Sequence, residues 1–495
     1  MHIAVAAVLL VSITLFYLHY FSIHHDLAGG VLSGKLGMSL GEAYEGYNIY
    51  FPPSEKIWFS LAAWLQTITG LRLDLLVVLM TSVAILFSAE LAYLIRKKTV
   101  GATPLFLIVS IAALVILPIV FKNVFGLREH LVALGLWPYL VLRVSDPAGV
   151  KIDRSIRIVV GLWLGLALLF KYLYSVVVLL VETADAIVQR RPVILFRLEN
   201  LISGFIVVFY LLFWLGFQSD NREIVGAMVS GLNANLMSPL DSLSRAGLEF
   251  CIAAVILLAA RQSGATIRQI VIGFACVTGA ILVASAQSRW YTHHGFPIFL
   301  GYVFWLWILG ANFSKVFKII VCAMLVFSAG REFSSISFYQ SNAAALTNSL
   351  KEQGLSLKEK RIALLTLHPS PFNQVIAEQG GVRWTPFVNI AYIPAELKKF
   401  DSDENSGMLA PPVVFSEPGR KLLHNQMLSL WEDFPPDVLI MDNSSSWPFA
   451  HLKVDWNHML SKDERFSNIL SDFQLAHSLQ NGGVKYDYYT RKQSN

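Results

Sequence analysis

The sequence predicts a polytopic α-helical membrane protein of about eleven transmembrane helices, with a soluble α/β domain at its C-terminal end. Three observations predict it. Hydrophobic residues make up 55% of the 495 positions and charged residues only 15%, with a mean hydropathy of +0.54, whereas soluble domains carry about 25% charged residues. The long apolar runs fall in residues 1–330, which read as the transmembrane domain. Residues 331–495 read as ordinary soluble sequence, with short strand-like runs between helical patterns.

The first apolar run, His2–Phe21, lacks a basic n-region and a small-residue cleavage site. It therefore reads as an uncleaved first span and not as a signal peptide. A polar loop, residues 22–73, follows. Within it, Ile57–Gly70 (IWFSLAAWLQTITG) is short for a span and suits a helix lying along the membrane surface. Further spans are expected at Leu75–Ile95, Thr103–Phe121, Leu131–Leu142, Ile156–Leu169, Ser175–Val188, Val193–Phe217, Leu248–Ala260, Ile270–Ala286, Phe296–Gly310 and Phe317–Ala329.

Basic residues orient these spans, because short cytoplasmic loops are enriched in Lys and Arg. With a cytoplasmic N-terminus and a non-crossing Ile57–Gly70, the basic clusters Arg96-Lys97-Lys98, Arg143 to Arg157, Arg190 to Arg197, Arg261 with Arg268, and Lys315 with Lys318 all face the cytoplasm. The net charge of +5 then reflects topology, not nucleic-acid binding. The tail 331–495 falls on the outer face, with strands expected at Arg361–Leu367, Val438–Met441 and Val484–Tyr489 and helices at Pro371–Gln379 and Gly419–Trp431. The three cysteines, Cys251, Cys276 and Cys322, all lie in apolar runs, so no disulfide framework holds the tail.

In this topology the unusual polar residues collect at the outer face. The first loop carries Glu42 and Glu45 among tyrosines, ahead of Pro52-Pro53. Lys122 and Arg128-Glu129-His130 follow, then Lys171 with Tyr172 and Tyr174, then Asp220 to Asp241, and finally QSRWYTHH with Arg289, Tyr291, His293 and His294. Ionisable groups at membrane depth are costly and mark functional sites. A carboxylate can take a proton from an acceptor hydroxyl, and cations can hold a departing phosphate. Arg128 and Arg289 rank above the lysines as bidentate phosphate ligands. Each residue also has a plain reading: loop charges at Glu42 and Glu45, a helix-dipole partner in Glu129, a snorkelling Lys171, an interfacial Arg289-Trp290-Tyr291 anchor, and merely polar histidines. Their convergence on one face favours the functional reading. The chain has no Walker A loop, GxSxG, HExxH or CxxC pair, and its spans show few charges of the kind that line ion pathways.

Three features resemble the GT-C superfamily of integral-membrane glycosyltransferases, which includes protein mannosyltransferases and the lipid A aminoarabinose transferases. One is the acidic first loop leading into FPPSEKIWF. Another is GLREHLVALGLWPYL, Gly126–Leu140, whose Glu129 falls where the superfamily often has a second acidic motif. The third is a soluble C-terminal domain on the outer face. Glutamate stands where most members have aspartate, and there is no DxD in the loop. The resemblance implies transfer of a sugar from a polyprenyl-phosphate-linked donor to an envelope acceptor (a lipid, polysaccharide or protein), in a bacterial inner membrane with the C-terminus periplasmic. It implies Glu45 or Glu42 as base and Glu129 as a second acid. Arg128, Lys171 and Arg289 would hold the donor phosphate, and His130, Tyr291, His293 and His294 would be further substrate contacts. Whether a divalent metal, Mg or Mn, takes part stays open, as does the choice between Glu42 and Glu45. Three other readings remain: an O-antigen ligase- or polymerase-like enzyme, whose site would need a larger late loop than Gln218–Ala246; a lipid-linked-sugar flippase or transporter, which would place polar residues at mid-span; and a structural partner whose soluble tail binds other envelope proteins.

Overall fold

The computed structural model describes residues 8–15, 17, 23–40, 53–120, 124–146, 151–220, 238–262, 265–287, 292–305, 343–366, 370–385, 418–442, 456–461, 463–481 and 484–492. They group into two compact units. One comprises Met1–Tyr20, Val78–Phe213 and Met237–Ser337; the other comprises Phe21–Val77, Trp214–Leu236 and Phe338–Asn495.

The first unit is helical. Residues 8–15 form a helix, and later come α3 (Leu73–Thr99, most of which belongs here), α4 (Pro104–Val120), α5 (Arg128–Ser145), α6 (Arg154–Phe170), α7 (Ser175–Gln189), α8 (Leu198–Asp220), α9 (Pro239–Gln262), α10 (Ile267–Ala286) and α11 (Thr292–Phe304). Among the described residues, α3, the stretch Tyr172–Gln189 and α10 are long and apolar enough to cross a membrane, and α4, α8 and α11 hold shorter apolar runs. The span expected at Phe317–Ala329 lies outside the described residues.

The central helix is α5. Nearly all of its residues are buried, from Glu129 to Ser145, so it is enclosed on every side and not amphipathic. It packs against α6 and α11, and α10 packs against α7, α9 and α11. Few buried charges were expected among the spans. The structure corrects this. Arg143, Arg157, Glu182, Asp185, Glu199 and Asp146 are all buried. Arg143 pairs with Glu182 and, at 2.6 Å, with Glu199; Arg157 pairs with Glu199 at 2.8 Å and Asp146 at 2.6 Å. Asp185 takes Arg268 at 2.6 Å and Arg197 at 3.2 Å. Each arginine thus finds a carboxylate on a neighbouring helix, the arrangement that burying charge requires.

The second unit begins with α1 (His25–Leu40) and α2 (Pro53–Thr69). The stretch 22–73 was expected to be loop apart from Ile57–Gly70, so α1 is a second correction. Its glycines lower helix propensity, but they allow α2 to approach closely: a Cβ on Gly34 would stand 2.6 Å from the Phe59 carbonyl oxygen. Tertiary contact therefore overrides a weak local signal. The inner face of α2 buries Phe59, Ala62 and Ala63, while Ile57, Leu61, Trp64 and Ile68 form an exposed apolar stripe.

The rest of this unit is a five-stranded sheet, β1 (Arg361–Leu365), β2 (Val382–Arg383), β3 (Val438–Asp442), β4 (Phe473–Asn481) and β5 (Val484–Arg491), in the order β2-β1-β3-β5-β4. Strands β1, β2 and β3 run parallel; β5 is antiparallel to β3 and β4. Helices α12 (Phe372–Gln379), α13 (Pro418–Asp433), α14 (Trp456–Leu460) and α15 (Glu464–Ser471) complete the α/β fold. Strands β1, β3 and β5 and helices α12 and α13 match the expected elements within a few residues. The strand β4 was not foreseen, because FQLAHSLQN carries too few β-branched or aromatic residues to read as a strand alone. Helix α1 packs on α12 and β2, with Lys35 Nζ donating to the Gly380 carbonyl at 2.7 Å.

Candidate functional site

The site begins with how α5 starts. Gly126 has φ +78°, a backbone conformation that glycine adopts freely. Leu127 is the N-cap and provides no side-chain cap. His130, three residues on, reaches back instead: its Nδ1 accepts the Gly126 N–H at 3.0 Å, and its Nε2 bonds the Leu114 carbonyl at 2.9 Å. The imidazole thus satisfies a backbone N–H just ahead of the helix, one residue before the N-cap. The two bonds define a neutral ring protonated on Nε2. Phe125 and Phe296 pack against that ring at centroid distances of 5.3 and 5.9 Å. His130 therefore holds the start of α5 in place, and both of its nitrogens are engaged by backbone.

This anchoring places Glu129 in the first turn, where the helix dipole favours a carboxylate. Glu129 is only 1% exposed. Its partner is Lys171, the residue that ends α6, and the two form an ion pair whose carboxylate is buried and whose lysine is partly exposed. Because α5 and α6 run antiparallel, the start of one meets the end of the other. A short 3-10 turn, Tyr172–Tyr174, follows Lys171, whose Nζ lies 6.0 Å from the centroid of the Tyr174 ring. The Tyr174 side chain is fully buried, and its hydroxyl has no hydrogen-bond partner among the described residues. Arg128 is half-buried beside Glu129. His294 is buried in α11, two residues before the Phe296 that touches His130.

The structure thus brings Glu129, Lys171, Tyr174, His130 and Arg128 to one end of the helical unit, together with the start of α11. Glu42, Glu45, Arg289, Tyr291 and the side chain of His293 lie outside the described residues. Among the described residues no group of three or more His, Cys, Asp or Glu side chains is placed to hold a metal.

Arg143 lies fourteen residues along α5 from Glu129, about 21 Å at 1.5 Å per residue. The Arg143–Arg157–Arg268 network therefore occupies the opposite end of the same bundle. Sequence reading placed these arginines at that end but missed their carboxylate partners. The available signal was Glu182 and Asp185, three apart and hence on one face of an otherwise apolar helix.

No protein-family model matches this chain, and no curated protein matches it. Among solved structures, it is similar to the crystal structure of ArnT from Cupriavidus metallidurans in the apo state, with 11% sequence identity and a TM-score of 0.42 over 98% of this chain and 97% of that one.

Proposed function

We propose that this protein is a membrane-embedded, inverting glycosyltransferase of the GT-C kind, taking a sugar from a polyprenyl-phosphate-linked donor to an envelope acceptor at the outer face of a bacterial inner membrane. The observation that carries the reading is the Glu129–Lys171 ion pair, with its carboxylate buried, at the start of the central helix. A charged pair withdrawn from water costs several kcal/mol per ion before compensation, and ionisable groups at membrane depth mark substrate sites. This pair lies at the end of the bundle away from the basic cluster, which the positive-inside tendency assigns to the outer side.

In the reaction, Glu45 or Glu42 accepts the proton of the acceptor hydroxyl. The acceptor oxygen then attacks the anomeric carbon. The bond between that carbon and the phosphate oxygen breaks, and the electron pair leaves with the polyprenyl phosphate. One displacement inverts the centre. Arg128, Lys171 and Arg289 stabilise the phosphate as its charge develops, and Glu129 holds Lys171 in position. Tyr174 lies beside Lys171, and His130 fixes the turn that presents Glu129.

Polyprenyl phosphate is the common leaving group of all such donors, so its binding tests the reading without knowledge of the sugar. Binding of undecaprenyl phosphate to protein in nanodiscs should weaken about tenfold or more in Lys171→Met, the loss of one charge-assisted contact. It should weaken less in Lys171→Arg. If Lys171→Met bound as tightly as the unaltered protein, the phosphate role would be excluded. Transfer assays on Glu45→Gln and Glu42→Gln then decide which glutamate is the base.

A further inference from the structure

The topology of the sheet marks a second place. From β1 the chain passes through α12 to β2 on one side; from β3 it continues toward β5 and β4 on the other. The connections therefore diverge between the carboxyl ends of β1 and β3. Open α/β sheets bind ligands at such a switch point, outside the carboxyl ends of their strands.

The side chains there are polar and buried. Thr366, directly after β1, donates through Oγ1 to Asp442 Oδ2 at 2.9 Å, and Asp442 is the last residue of β3. Ser370 Oγ donates to Gln374 Oε1 at 2.8 Å. Thr366, Ser370, Asn373, Gln374 and Asp442 are each at most 5% exposed. An aromatic wall adjoins them: Tyr486 pairs in register with Asp442, and its ring meets Phe372 edge-on at 4.7 Å. Burial, reinforced by the Asp442 carboxylate, pushes the Tyr486 phenol above its ordinary range. Tyr488 lies on the same face as Tyr486, fully buried, and its hydroxyl has no hydrogen-bond partner among the described residues. Thr366 with Asp442 and Ser370 with Gln374 satisfy one another, while the Tyr488 hydroxyl is a buried polar group still lacking a partner among the described residues.

The chemistry selects the ligand. The Asp442 carboxylate repels anions. The sequence from Thr366 to Pro371 (TLHPSP) has no glycine and so lacks the motif of a glycine-rich phosphate cradle. A carboxylate, hydroxyls, side-chain amides and aromatic rings together suit vicinal hydroxyls on an apolar ring face. We propose that the switch point between β1 and β3 binds a neutral saccharide through Asp442, Thr366 and Gln374, with Phe372, Tyr486 and Tyr488 as its aromatic wall. This goes beyond the transfer reaction and requires no chemistry at Glu129.

The test uses the full chain in nanodiscs on an array of neutral envelope-type oligosaccharides, presented free and linked to a polyprenyl lipid, with inorganic phosphate and ATP as anionic controls. At least one free neutral glycan should bind. Asp442→Asn and Thr366→Val should weaken it about tenfold or more by leaving a buried group unpaired. Thr366→Ser should retain binding, and so should Glu129→Gln. The Val and Ser variants at Thr366 decide the matter if Asp442→Asn does not fold. Absence of any free-glycan binding would overturn the proposal. So would equal binding by Thr366→Val, preference for phosphate or ATP, or binding of lipid-linked glycans alone. Because the readout is free-glycan binding, its outcome is separate from that of undecaprenyl phosphate binding at Lys171.

Discussion

Replacing Arg143 by methionine should destabilise the helical unit by about 3 kcal/mol, the lower end of the range for breaking a buried pair. Arg143 is fully buried and bonds Glu182 through Nε, Glu199 at 2.6 Å and Asn200 at 3.0 Å through Nη2. Methionine fills much of the same volume, so the loss is electrostatic. The low end applies because each carboxylate keeps a second partner: Tyr139 donates to Glu182 at 2.5 Å, and Arg157 to Glu199 at 2.8 Å. The control is the exposed pair Lys98–Asp153, whose side chains are 45% and 61% accessible. Lys98→Met should cost below about 1 kcal/mol. Unfolding of the purified protein in mixed micelles, followed by tryptophan fluorescence, measures both. Adding Glu182→Gln to Arg143→Met should restore part of the loss, because the uncompensated charge dominates the penalty. If Arg143→Met and Lys98→Met came out equal, or if Glu182→Gln deepened the defect, the account of this network as mutually compensating buried charge would be refuted.

Two further outcomes follow from the second unit. Burial and the neighbouring Asp74 carboxylate push the Glu378 carboxyl up to about 7 from 4.5, against the pull of Arg72. The folded state therefore holds this proton to higher pH than the unfolded chain, and stability falls as pH rises from about 4.5 to about 7, by up to about 3 kcal/mol. Glu378→Gln should flatten that window and raise the melting temperature at pH 8; an unchanged difference between pH 5 and pH 8 would contradict it. The stripe Ile57, Leu61, Trp64 and Ile68 on α2 should lie in the headgroup–acyl boundary. A spin label at Ile68 should then be more accessible to oxygen than to a water-soluble nickel chelate, and equal access to both would show a solvated helix instead.

Hydropathy made the apolar helices legible because a spanning or buried helix must be apolar over a fixed length, a property of consecutive residues. The alternation of strand and helix patterns likewise disclosed β1, β3, β5, α12 and α13. Glu129 and Lys171 stood out in the sequence as charges bordering apolar runs. Their pairing did not, because they are forty-two residues apart and meet only through the antiparallel packing of α5 and α6. Burial of the arginines was hidden for the same reason. Arg143 reads as a loop cation until Glu182 and Glu199, from two other helices, are seen to enclose it. Helix α1 needed α2 against its glycines, and β4 needed β5 to pair with. The sequence by itself determined which segments must leave water and which charges border them. The tertiary structure decided which charges neutralise one another, since that depends on distances between segments that no local pattern encodes.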